Sequence, residues 1–241
     1  MDIPRLDDIW QETLDLDDFD AGRLEAAMTR NQQPAYGLTL VVHPLLAPGS
    51  EPRRALEAIA ELHPVWNQAL PCSFFPEEIL HFTIYSLRRS RPQPFSPAEL
   101  DELWNRLASD LQCILEVIPP FTVSLRGLAV TADGAILIGV GDSPVLRRLH
   151  QTVGAIPGVS PPRSYPPHVT IGQVLAPCGS REAFRQAMGY LQTWQDAPLG
   201  ELSVPDLKLI YYSSRVLATV ERWEKFGLDD RTEILLKCSQ K

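Results

Sequence analysis

Leu80-His81-Phe82-Thr83-Ile84-Tyr85 and Pro167-His168-Val169-Thr170-Ile171-Gly172 are the two stretches whose reading decides the fold of this chain. Each holds the order histidine, hydrophobic, threonine, isoleucine, and each alternates as a half-buried strand does. In extended backbone, residues two apart share a face. The alternation therefore sets His81, Thr83 and Tyr85 together, with Phe82 and Ile84 on the opposite, core-facing side. It groups His168, Thr170 and Gly172 in the same way, against Val169 and Ile171.

Working outward, the elements around the two stretches repeat in the same order. An apolar run over 37–43 reads as a strand, 53–66 as a helix burying Leu56, Ile59 and Leu62, and 80–87 as the first motif strand. In the second unit 135–140 is a strand, and Ser143-Pro144 opens a helix carrying Leu146, Leu149 and Val153. A proline-rich loop over 157–167 follows, and then the second motif strand, 169–175. Between the units, Ser96-Pro97-Ala98-Glu99 has the cap, first-turn proline and acid of a capping box. The stripe Leu100, Leu103, Trp104, Leu107, Leu111, Ile114 continues that helix. A strand at 121–128 is joined to 135–140 through Asp133-Gly134. Beyond the second motif, Ser180 caps a helix with Phe184, Ala187, Leu191 and Trp194, and strands are expected at 207–212 and 216–223. Strands and amphipathic helices interleave, so the fold class is α/β or α+β rather than all-β, and the repeat points to two similar lobes facing each other across residues 34–228. Residues 1–33 form an acidic helical extension held by Leu6, Ile9, Trp10 and Leu14, and 229–241 form a tail.

Composition narrows the function. The chain has 241 residues and a formal net charge of −8. Gripping duplex nucleic acid without sequence preference usually needs a basic face, so duplex DNA is not the expected partner. No run of eighteen apolar residues suggests a membrane span, and the acidic start is unlike a targeting segment. The four cysteines, Cys72, Cys113, Cys178 and Cys238, form neither a disulfide framework nor a zinc ribbon. The expectation is a cytoplasmic monomer with no membrane partner, no metal and no other cofactor.

Two imidazoles and two threonine hydroxyls brought into one cleft suit phosphodiester chemistry. A neutral histidine can take a proton from water or a ribose hydroxyl while a protonated one donates to the leaving oxygen. Hydroxyls and backbone amides can stabilise the charge developing on phosphate oxygens. The two His-x-Thr-hydrophobic strands, the second introduced by Tyr165-Pro166-Pro167, resemble the 2H phosphoesterase superfamily. That superfamily includes 2′–5′ RNA ligase-like proteins and cyclic nucleotide phosphodiesterases. The resemblance implies a bilobal fold with two antiparallel sheets around a central groove, helices outside, and a catalytic set of His81, Thr83, His168 and Thr170. It implies cleavage of 2′,3′-cyclic or 2′,5′-linked phosphodiesters in a nucleotide or short RNA end without metal. Ligation of RNA ends, or a catalytically silent nucleotide-binding adaptor, are the alternatives.

The chain departs from the family pattern in three places. Gln173 and Val174 stand where a basic residue often follows the second motif, Arg88, Arg89 and Arg91 form a basic cluster after the first, and the acidic 1–33 segment is additional. Arg88 and Arg89 are candidate phosphate contacts, and Tyr85 and Tyr165 are candidates to stack on a base or line the cleft mouth. His43, His63 and His150 lack a threonine partner and read as surface or packing residues.

Overall fold

Antiparallel pairing alone assembles the nine strands into one sheet with the order β7-β4-β5-β6-β3-β1-β8-β9, and β2 pairs with β6 off that path. These strands are β1 (Pro34–Val42), β2 (Cys72–Phe74), β3 (Phe82–Arg91), β4 (Phe121–Val130), β5 (Ala135–Val140), β6 (His168–Val174), β7 (Pro198–Val204), β8 (Asp206–Ser214) and β9 (Val220–Gly227). The structure is a computed structural model that describes residues 6–43, 70–161 and 167–228. The helix expected over 53–66, His63, Tyr165 and the tail 229–241 lie outside the described residues.

The sheet is two four-stranded halves joined at a narrow seam. β3 and β6, the two motif strands, meet in antiparallel fashion through one residue pair, Phe82 opposite Val169. Past that pair β6 is partnered by β2, with Cys72 opposite Val174 and Phe74 opposite Gly172. β3 runs on beside the segment after α4 (Pro144–Gly154), where the Ser160 amide donates to Leu87 O at 2.9 Å. The lobes inferred from the repeat are thus the halves β7-β4-β5-β6 and β3-β1-β8-β9.

Helices cover one face. In α3 (Pro97–Leu115) the Ser96 hydroxyl accepts from the Glu99 amide, as the capping box requires, and Leu103, Trp104, Leu107, Leu111 and Leu115 are buried. Trp104 ties this helix to β9: its Nε1–H donates to Glu224 at 3.0 Å and the Arg222 guanidinium lies 4.4 Å above its ring. α4 buries Leu146, Leu149 and Val153, and α5 (Arg181–Gln192), capped by Ser180, buries Phe184, Ala187, Met188 and Leu191. Burying apolar side chains at about 25 cal/mol per Å² is what holds such layers on a sheet.

The N-terminal extension is two helices, α1 (Leu6–Leu14) and α2 (Ala21–Gln32), docked on the β7-β4-β5-β6 half. Trp10 is fully buried and donates from Nε1 to Leu128 O, while the Thr13 hydroxyl donates to Val130 O. Asp18 accepts from the amides of Cys178 and Gly179, both at 2.9 Å, and Phe19 packs edge-on against Phe184.

Strand boundaries differ from expectation where a turn or a non-local partner decides them. The last strand begins at Val220 rather than 216 because 215–219 form the hairpin turn. Within it Leu217 adopts a left-handed φ of 53° and folds its side chain onto Val41, Ile210 and Tyr212. β2 and β7 were not anticipated. β2 has three residues, and the register of β7 to β4 shifts around Gly200, which has a φ of 103°.

Candidate active site

The seam sets the two motifs side by side. With Phe82 opposite Val169 in an antiparallel pair, one step either way faces His81 to Thr170 and Thr83 to His168. Each histidine is therefore matched with the other motif's threonine, as a local twofold through the Phe82–Val169 pair demands. Phe82, Ile84, Val169 and Ile171 are buried in the core, whereas Thr83 is exposed and His81, His168 and Thr170 are half-buried. His168 is paired with Gly139 of β5, which places no side chain beside the imidazole on that face.

Both motif strands bulge immediately after the threonine. In β3 the register to β1 shifts between Thr83 (opposite Val41) and Tyr85 (opposite Leu40), leaving Ile84 as the extra residue. In β6 the register to β5 shifts between Thr170 (opposite Leu137) and Gly172 (opposite Ile136), leaving Ile171 as the extra residue. A bulge frees backbone groups and reverses which face later residues take. The freed carbonyls are met: the Thr39 hydroxyl donates to Tyr85 O at 3.1 Å and the Phe75 amide to Ile171 O at 2.8 Å.

This corrects the expectation that Tyr85 and Gly172 continue the reactive face. Tyr85 is 2% exposed and turned to the helices, where its hydroxyl donates to Ser160 O at 3.0 Å and its ring lies 4.7 Å from that of His150. Gly172 lies beneath β2, where a Cβ would come within 2.5 Å of Ser73 O.

The basic cluster is likewise divided. Arg91 is engaged with Glu99 at 3.0 Å and lies over the Phe95 ring. Arg88 is directed to the helical side, where a guanidinium nitrogen lies with that of Arg106 near Gly158. Arg89 is exposed, its amide donating to Ser160 Oγ.

A short 3-10 turn, Glu77–Ile79, holds two histidines. His81 Nδ1–H donates to Ile79 O at 2.8 Å, which leaves Nε2 as the free basic nitrogen. His43, at the end of β1, donates from Nε2 to Glu78 O at 2.9 Å. Burial pushes the His81 imidazole down to about 4, against the opposing effect of the Ile79 carbonyl, and the charges of His43 and His168 add to the lowering. Burial also lowers His43, opposed by Glu78 O and assisted by Lys208.

His43 is thus the neighbour that sequence reading passed over. Its signal was the alternation Thr39, Val41, His43 along β1, which becomes informative only once Val41 is known to face Thr83. His150 is a packing residue, as expected. Among the described residues no group of three or more His, Cys, Asp or Glu is arranged to hold a metal ion.

A bilobal antiparallel α+β fold with a His-x-Thr strand from each lobe at the seam defines the class of protein. The family model of the 2′-5′ RNA ligase superfamily matches residues 48–215, and the chain belongs to that family, in agreement with its resemblance to the 2H phosphoesterases. Solved structures share the fold at low identity. A phosphoesterase superposes with a TM-score of 0.52 and 17% identity over 80% of this chain and 98% of its own. LigT from E. coli, complexed with 3′-AMP, gives 0.51 and 15% over 80% and 98%. A conserved protein of unknown function from Agrobacterium tumefaciens gives 0.50 and 15% over 87% and 89%. No curated protein matches the chain in sequence. No helix among the described residues is long and apolar enough to cross a membrane.

Proposed function

We propose that this protein is a metal-independent phosphodiesterase that opens 2′,3′-cyclic phosphates or cleaves 2′,5′-linked phosphodiesters of nucleotides or short RNA ends. The observation that carries the reading is the crossed register at the seam, which sets two imidazoles and two hydroxyls in adjacent strands. His81 acts as the base. Its Nδ1–H is committed to Ile79 O, and burial keeps it neutral at physiological pH, so Nε2 takes the proton of the attacking water. His168 is the acid, donating a proton to the ribose oxygen as the P–O bond to it breaks and the water oxygen bonds phosphorus. Proton return from His81 to His168 through solvent closes the cycle, with one water consumed. Thr83 and Thr170 donate hydrogen bonds to the non-bridging oxygens, where negative charge accumulates.

A nucleotide substrate is supported by LigT, which has the same fold and was solved with 3′-AMP. The deciding experiment is turnover of 2′,3′-cyclic mononucleotides and 2′,5′-linked dinucleotides with chelator present, for wild type beside His81→Ala and His168→Ala. Turnover in wild type and its loss in both variants is expected. Wild-type rates in His81→Ala, or activity that disappears on chelation and returns with a metal, overturns the reading. Joining of RNA ends in place of hydrolysis assigns the same four residues to ligation.

A further inference from the structure

The face that carries Thr83 continues well beyond the motif strand. Cross-strand partners share a face, and the registers carry this one across the half-sheet: Thr83 is opposite Val41, Val41 opposite Lys208, and Lys208 opposite Lys225. The adjacent row runs from Ser86 through Thr39 and Ile210 to Trp223. At three strand spacings, Trp223 stands roughly 14 Å from the motif strand. That span suits a nucleotide next to the one being processed.

Trp223 does not serve the core. It is 59% exposed, the most exposed large apolar side chain among the described residues, while Arg222 and Glu224 on either side of it are turned to Trp104 of α3. Its support is built. Val41, Ile210, Tyr212 and Leu217 form a small buried cluster on this face, separate from the main core. Lys208 Nζ lies 5.0 Å from the indole centroid, a loose cation–π contact. Among the described residues Lys208 makes no ion pair, whereas Lys225 is taken by Asp206 at 2.9 Å. Inward, the charge of Lys208 is felt at His43, and that of His43 at His81. An aromatic ring and a cation in line with the two-histidine site are what a single-stranded nucleic acid needs, since every base has a π face and every link a phosphate. In a chain of net charge −8, such a local basic and aromatic pairing complements an anionic strand.

We propose that Trp223 and Lys208 form a second nucleotide subsite, in which the base preceding the terminal nucleotide of a single-stranded RNA stacks on the indole and its phosphate is met by Lys208. Resting on the reading of the seam as a phosphodiesterase site, this makes the preferred substrate an oligonucleotide end rather than a mononucleotide. An arriving base takes the position of the Lys208 ammonium over the ring and releases it to the phosphate.

The test uses the full chain and a fluorescein-labelled RNA tetranucleotide ending in a 3′-phosphate, which holds neither of the linkages that the proposed reaction cleaves and so is not turned over. Anisotropy titrations of wild type, Trp223→Ala, Trp223→Phe and Lys208→Gln are compared with the affinity for a 3′-mononucleotide. The ratio of tetranucleotide to mononucleotide affinity should fall by roughly 5- to 150-fold in Trp223→Ala. Trp223→Phe should retain most of it, and Lys208→Gln should flatten the salt dependence of tetranucleotide binding. An unchanged ratio in Trp223→Ala overturns the proposal, and so does absence of tetranucleotide binding by wild type. Concentration-dependent self-association of wild type that Trp223→Ala abolishes, read by sedimentation, overturns it in favour of a second copy on this face. Because the probe is not a substrate, absence of phosphodiesterase turnover would overturn the proposed reaction without touching this measurement.

Discussion

The first and second motifs are the same four-residue pattern and are built by the same device, yet their histidines stand in different surroundings. Both strands bulge after the threonine, so each presents only a histidine and a threonine before its next residues turn away. The symmetry stops there. His81 precedes its strand, is clamped to Ile79 O by the 3-10 turn, and has His43 beside it. His168 lies within the ladder opposite Gly139, and its strand follows Pro167, whose carbonyl accepts from the Val140 amide. The repeat supplies two imidazoles, and the divergence of their surroundings leaves them chemically inequivalent. Acid and base assignments arise in this way from paired groups of one chemical type.

The sharpest way to break this comparison is to remove each histidine in turn. Either His81→Ala or His168→Ala should lower turnover by about a hundredfold to ten-thousandfold. The two should then part company on a substrate with a nitrophenyl leaving group. A nitrophenolate departs without a proton, so His168→Ala should recover much of its rate there and His81→Ala should not. Equal recovery in both variants would make the two motifs interchangeable and end the asymmetry. Thr83→Ala and Thr170→Ala come next, with losses of about tenfold to a thousandfold in kcat.

The pH dependence sharpens the same point at smaller scale. With His81 pushed down to about 4, the acidic limb of kcat/KM should fall near that value, so activity persists below pH 6 and is lost as pH drops through about 4. A limb at the ordinary histidine value, about 6.5, would mean that His81 is not the base. His43→Gln removes one of the charges that lower His81 and should move the limb upward. Stability carries the same sign: the unfolded chain takes up this proton first as pH falls, so Tm should decline between about 6.5 and 4 and gain no further loss from this group below that. His81→Gln should lessen the decline.

Much of this arrangement was legible in the residues, and the parts that were not share a cause. The motif tetrapeptides, the capping box at Ser96 and the Trp10 stripe are local patterns, and each local pattern forms the element it specifies. The bulges after Thr83 and Thr170 depend on how many residues the partner strand offers, which no single strand records. Tyr85 was misassigned for that reason, because simple alternation carried it one residue too far. His43 and Trp223 gain meaning only from register across β1, β8 and β9. Pairings between segments so distant in sequence are settled by the whole sheet rather than by either strand.

The smallest expected effect concerns that misassigned tyrosine, and it separates the bulge from the alternation directly. If Tyr85 sat beside His81 and stacked on a base, Tyr85→Phe would keep the ring and Tyr85→Ala would weaken substrate binding with little effect on folding. In the observed fold the hydroxyl bonds Ser160 O and the ring is enclosed by His150 and Gly154 of α4. Tyr85→Phe should therefore cost about 0.5–1.5 kcal/mol of stability, the net worth of one hydrogen bond, with KM unchanged. Urea denaturation alongside steady-state kinetics measures both. A raised KM at undiminished stability in Tyr85→Ala would return Tyr85 to the reactive face, and with it the unbulged strand that the motif alone suggests.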